Sequence, residues 1–230
     1  MQLNRFIQIN TPYSRQQAKL LLAQGRVKVA GQIVTDASLE IDRFVRVELD
    51  SQLLQDSQSH YLMVNKPAGV VSATEHPEHQ TVIDLLPQAL RQGMHLAGRL
   101  DLKTTGLMLL TNDGNWSRRV TQPESKIAKV YRVTTKDPVA AEAEAVFSRG
   151  IYFRYENITT RPAELERIDS YNSRLTIHEG RYHQVKRMFG YFDNEVIALH
   201  RERIGAITLD PKLKPGEFRP LTPAEVALFA

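Results

Sequence analysis

A polar, Ser- and Gln-rich run at residues 51–60, SQLLQDSQSH, interrupts the apolar patterning of the chain and divides it unequally. It reads as a linker. The segment before it has about 50 residues, a size at which a single core is marginal unless something staples it. The 230-residue chain contains no cysteine, so neither a disulfide nor a thiolate-bound zinc can be the staple. Residues 1–50 must therefore close a small core by packing helices on short strands. Residues 61–230 are long enough for one full-sized domain.

The patterning of the first segment fits that requirement. Leu3, Phe6 and Ile7 have the spacing of one helical stripe, which Thr11-Pro12 ends. Ser14 followed by Gln17 has the form of a capping box, and the helix it opens carries Ala18, Leu21 and Leu22 on one side before Gly25 stops it. Alternating stretches at Val27-Lys28-Val29 and Val45–Leu49 read as strands, with Ala30-Gly31-Gln32 turning the chain after the first. Between Met1 and Thr35 the charged side chains are Arg5, Arg15, Lys19, Arg26 and Lys28, without one acid. Together with a net charge of +4 and a pI near 9.3, this one-sided distribution favours a polyanionic partner over a merely solvated face.

The second segment mixes strands and helices, and the class is α+β. Tyr61–Val64 reads as a buried strand running into the turn Asn65-Lys66-Pro67-Ala68-Gly69. Further strands are expected at 131–134 and 174–177, and helices at 138–148 and 184–191. In AGRLDLKTTGLMLLTNDG, residues 97–114, Asp101 precedes the apolar run Leu107–Leu110; local pattern leaves open whether it shapes a turn or performs chemistry.

Several chemistries can be set aside. No Gly-rich run has the form of a phosphate loop or dinucleotide fingerprint, so no cofactor is expected. His76 and His79 lie in EHPEH, where Pro77 disfavours a helix, and a surface loop is expected rather than a metal site. His183 and His200 have basic neighbours, unlike a serine-type triad. Phe189, Tyr191 and Phe192 read as packing at a helix end. No apolar run approaches bilayer-spanning length and no secretory signal is seen, so a cytoplasmic protein with no membrane partner is expected. Arg181, His183, Lys186 and Arg187 cluster in EGRYHQVKRM, and His200, Arg201 and Arg203 in LHRERIG. Spacing alone does not decide whether they meet a polyanion or an acid of the same domain.

Two resemblances add to this reading. Ser14–Ala18 with Gln24–Gly31 resembles the S4 RNA-binding domain, which implies that Arg15, Lys19, Arg26 and Lys28 contact RNA phosphates. The segments Asn65–Val70, Gly98–Asp101, Lys129–Tyr131, Glu179–Met188, Leu199–Gly205 and Pro215–Leu221 resemble, in order and spacing, the RsuA-type pseudouridine synthases. HQVKRM and LHRERIG look most like the members acting on small-subunit 16S rRNA. The resemblance implies an S4-like module at 1–50, a linker at 51–60, and a catalytic domain at 61–230 with a mixed, mostly antiparallel sheet and flanking helices. It implies isomerisation of uridine 516 of 16S rRNA, free or in an assembly intermediate, by a monomer needing neither cofactor nor metal. Asp101 would be the nucleophile, Tyr131 would stack on the flipped uracil, and Lys186, or alternatively Arg187, would pair with Asp101. Lys66, Arg99, Arg181 and Arg187 would contact RNA. A synthase acting on 23S rRNA or tRNA, and a non-catalytic ribosome-assembly factor, are the alternatives.

Overall fold

The structure, a computed structural model, describes residues 1–229. The chain forms two compact units, Met1–Ser59 and His60–Ala230. The first has α1 (Leu3–Asn10), α2 (Arg15–Ala23), β1 (Val27–Val29), β2 (Gln32–Ile33), β3 (Val47–Leu49) and β4 (Gln52–Gln55), with sheet order β2-β1-β3-β4. The Ser14 hydroxyl accepts from the Gln17 N–H while the Gln17 side chain accepts from the Ser14 N–H, closing the expected capping box at the start of α2. Leu3, Phe6, Ile7, Ala18, Leu21 and Leu22 are buried against Val27, Val29, Val47 and Leu49. Disulfide-free closure is thus achieved by two helical stripes on one sheet face.

The linker expected at 51–60 is corrected at residues 52–55. They form the edge strand β4, which pairs antiparallel with β3 and leaves Gln52 and Leu53 exposed. Gln55 Nε2 ties that strand back by donating to the carbonyls of Asp42 (2.9 Å) and Val45 (2.8 Å). Polar composition therefore signalled an edge and not a disconnected tether.

The second unit continues with β5 (Tyr61–Lys66), α3 (Gln88–Arg91), β6 (His95–Leu96), β7 (Thr105–Thr111), α4 (Gly114–Thr121), β8 (Lys129–Thr135), α5 (Ala143–Arg149), β9 (Tyr152–Phe153) and β10 (Ile158–Thr159). Then come β11 (Glu164–Arg167), β12 (Asn172–Ile177), α6 (Gln184–Gly190), β13 (Val196–Ile204), β14 (Ile207–Thr208), β15 (Phe218–Pro220) and α7 (Pro223–Ala227). The main sheet runs β11-β12-β8-β13-β7-β5-β15 and is mixed: β13 lies parallel to β7, while its other neighbours pair antiparallel. The helix expected from 138 begins at Ala143.

Both faces of the central strands are covered, which explains their unbroken apolar runs. Leu62, Val64, Met108 and Leu110 face one core with Val133, Leu175, Val185, Met188 and Phe189. Met63, Leu107 and Leu109 face the other with Trp116, Val120, Ile204 and Leu221. Phe189 meets Phe147 edge-on at 5.3 Å, whereas Tyr191 is exposed.

Candidate active site

The segment carrying Asp101 is held from several directions. The Ser72 hydroxyl donates to the Leu100 carbonyl (2.6 Å) and accepts from the Leu100 N–H (3.0 Å), fixing the residue before Asp101 on both sides. The Thr104 N–H closes a turn on the Asp101 carbonyl at 3.0 Å. Lys66, with no exposed surface, donates from Nζ to the carbonyls of Pro67 (2.9 Å), Leu102 (3.2 Å) and Thr104 (2.8 Å). The expectation that Lys66 contacts RNA is thus corrected: it lies under the loop. Burial lowers its pKa to about 8, with a further lowering from Arg201 and an opposing effect of Asp101.

Opposite the loop, Lys186 on α6 and His183, the residue that caps it, approach one oxygen of Asp101. Lys186 Nζ and His183 Nε2 each stand 3.6 Å from Asp101 Oδ2. Both distances are longer than a hydrogen bond. At an effective dielectric of 20, the lysine contact corresponds to roughly 4 to 5 kcal/mol. About a third of each side chain is exposed, and screening cuts this to about 1 kcal/mol until the site is covered. His183 takes a left-handed conformation (φ 48°), and its ring stacks on the exposed Tyr182 at 3.9 Å. The turn holding it is tied by Gln184, which accepts from the Arg181 N–H and donates to Glu179.

Arg187 does not face Asp101, and the alternative that it pairs with Asp101 is corrected. Its Nη1 and Nη2 lie on the Glu156 carboxylate, and its guanidinium stacks over Phe153 at 3.7 Å. The side chain clasps the β9–β10 hairpin to α6, so its fork is already engaged.

Tyr131 is 8% exposed and lines the cavity from β8. Its hydroxyl accepts from Arg201 Nη1 at 3.4 Å. Arg201, 3% exposed, also donates from Nε to the Leu107 carbonyl (2.8 Å) and from Nη1 to the Arg99 carbonyl (3.3 Å). One buried guanidinium thereby joins β13, β7, the Asp101 loop and Tyr131. The close approach depends on Gly106 (φ 104°), where a Cβ would lie 2.4 Å from the Arg201 carbonyl oxygen. Sequence reasoning placed Arg201 only in a basic cluster. Its phase with buried Leu199 on alternating β13 was the available signal that it faces inward.

These groups enclose a cavity of about 860 Å³, within the range of small-molecule sites. Asp101, Tyr131, Lys186, Arg99 and Arg181 all line it, as do His183, Lys129 and Arg161, which the sequence reading did not assign. Arg181 Nε is partly committed to Glu179 at 2.9 Å. On the first unit Arg15, Lys19 and Lys28 are exposed, while Arg26 is ion-paired with Asp50. His76 and His79 stack on each other in an exposed loop. Among the described residues no helix is long and apolar enough to cross a membrane.

Comparison with known proteins agrees with this geometry. Residues 60–191 match the RNA pseudouridylate synthase family, and residues 12–47 match the S4 domain. Ribosomal small subunit pseudouridine synthase A of Pseudomonas aeruginosa is 53% identical over 227 residues, spanning 98% of this chain and 99% of that protein. The protein of the same name from Escherichia coli K12 is 46% identical over 228 residues, spanning 99% of each. A solved structure described as a crystal structure of pseudouridylate synthase aligns over 100% of both chains, with a TM-score of 0.73 and 42% identity. A loop-held carboxylate facing Lys186 in an α+β cleft thus sits in a chain that belongs to the RNA pseudouridylate synthase family: it is an RsuA-type pseudouridine synthase with an N-terminal S4 domain, an enzyme that isomerises uridine to pseudouridine.

Proposed function

We propose that the chain isomerises uridine 516 of 16S rRNA, with Asp101 as the nucleophile. The observation that carries this reading is Asp101 itself, held on a loop pinned by Ser72 and Lys66 and facing Lys186 across the cavity. Pseudouridylation breaks the N1–C1′ bond, turns the uracil over, and rejoins it through C5. Nothing is oxidised or reduced, so an ionised carboxylate and a pocket closed to water suffice. Attack on the sugar and attack on the base are both open to that carboxylate.

Lys186 compensates the Asp101 charge as RNA covers the site and solvent screening is lost. An ammonium does this as a point charge, without the bidentate geometry of a guanidinium. Tyr131 stacks on the uracil while it turns, its hydroxyl held by Arg201. The target base must leave its stack to reach this depth, at a cost of a few kcal/mol. Exposed Arg15, Lys19 and Lys28 supply sequence-independent affinity through phosphates. The relatives' names, which specify the small ribosomal subunit, support the choice of 16S rRNA. Soluble action as a monomer in the cytoplasm, on free rRNA or on an assembly intermediate, accords with this reading.

The test is to incubate the protein with unmodified 16S and 23S rRNA and map pseudouridine by chemical labelling and primer extension. Modification at position 516 alone is expected. Modification confined to 23S rRNA would overturn the substrate assignment.

A further inference from the structure

Beyond the Asp101 pair, one end of the cavity gathers positive charge that the reaction described so far leaves unused. Lys129, Arg161 and Arg201 all line it, and none of them enters an ion pair among the described residues. Lys129 stands at the start of β8, two residues before Tyr131, so both side chains share a strand face about 7 Å apart along the strand. Arg161 lies two residues beyond the end of β10, and its Nη1 makes only long contacts to the carbonyls of Pro123 (3.3 Å) and His178 (3.4 Å). Arg201 Nη2 is buried without a hydrogen-bond partner. Glu179, which also lines the cavity, has its oxygens occupied by the Arg161 N–H, Gln184 and Arg181.

Uncompensated, partly buried cations repel one another and cost stability unless an anion joins them. The repulsion is visible at Lys129, whose pKa is lowered first by burial and then by Arg201 and Arg161.

We propose that Lys129 and Arg161 form a phosphate subsite that grips a phosphodiester flanking the target uridine while Tyr131 holds its base. This rests on the proposed RNA reaction. It assigns the two residues a task separate from that of Asp101 and Lys186: they anchor the backbone so that the sugar stays in place while the base turns. Arg201, committed to Leu107, Arg99 and Tyr131, contributes charge from behind.

The test uses a short 16S rRNA fragment spanning the target uridine, either unmodified or with a neutral methylphosphonate at the 5′ or the 3′ flanking phosphate. Binding to the full-length wild-type protein, Lys129→Gln and Lys129→Arg is measured as a function of salt. One neutral linkage should weaken wild-type binding about tenfold, the scale of a lost charge-assisted hydrogen bond. The same linkage should hardly affect Lys129→Gln, and Lys129→Arg should regain the sensitivity. The salt slope of Lys129→Gln should be shallower by about 0.7, the value for one single-strand phosphate. Equal losses in wild type and Lys129→Gln at both linkages would overturn the subsite. So would a Lys129→Gln protein of clearly lower Tm, because removing an unpaired cation should not weaken the fold. Turnover of the unmodified fragment by wild type is scored separately: its absence counts against the substrate reading, whereas the binding comparison judges the subsite.

Discussion

Lys66→Met separates placement of Asp101 from stability of the fold. The substitution keeps the length and apolar stem of the side chain and removes the ammonium that donates to three loop carbonyls. The Leu102 carbonyl retains a second donor, the Gly69 N–H at 2.9 Å, so it is not orphaned. The Thr104 and Pro67 carbonyls lose this donor, at about 1–2 kcal/mol each. Against this, the buried ammonium is itself costly: lowering a lysine pKa from 10.5 to about 8 corresponds to about 3 kcal/mol. The terms nearly cancel, and stability should stay within about 2 kcal/mol of wild type, a Tm change under about 8 °C for a unit of this size. Activity should not survive as well. Loop 101–104 loses its anchor, and displacement of the reacting group by about 1 Å costs about 100-fold in turnover. Thermal unfolding and single-turnover kinetics measure the two effects. Turnover within about threefold of wild type would refute the positioning role. The pH dependence has a definite sign. The folded-state pKa lies below the unfolded value, so the folded protein binds fewer protons between pH 8 and 10.5. Wild type should therefore gain stability relative to Lys66→Met as pH rises through that window. A constant difference would contradict the burial argument.

Gly106→Ala would force a Cβ against the Arg201 backbone at a left-handed φ, costing about 2–5 kcal/mol and about 5–15 °C in Tm; an unchanged Tm would show that β7 and β13 can separate freely. Lys186→Met should reduce turnover about 10- to 100-fold, with Lys186→Arg recovering much of it because charge rather than shape is needed. Equal activity in all three proteins would exclude Lys186 as the partner of Asp101. Replacing Arg15, Lys19 and Lys28 together by Gln should make the salt slope of rRNA binding shallower by about 2–3, the value for three phosphates. An unchanged slope in binding titrations would remove the first unit from the RNA contact.

The central strands and the first unit's helices were readable because burial dictates their composition. Leu62–Val64 and Leu107–Leu110 are covered on both faces, and Ser14 with Gln17 announces α2 chemically. β4 was misread because an edge strand can be as polar as a linker. The cations were harder, since a positive charge in sequence does not say which carboxylate it will meet. Lys66 was expected on RNA and Arg187 as an alternative partner of Asp101, yet one holds three carbonyls and the other is engaged by Glu156, 31 residues away. Arg201 and Lys129 were overlooked because strand periodicity was applied to apolar residues and not to charged ones in the same phase. The proximity of Asp101 to Lys186 spans 85 residues, and local pattern carries no trace of it.

The most direct measurement is release of tritium from rRNA labelled at uridine C5, since that hydrogen is lost when C5 bonds to the ribose. Asp101→Asn preserves the side chain's size and removes its charge. Release should fall to the uncatalysed background while rRNA binding stays within about threefold of wild type, less than 1 kcal/mol. Release within about tenfold of wild type would show that Asp101 is not the nucleophile, because removing the attacking group must cost far more than the 1.4 kcal/mol such a change represents.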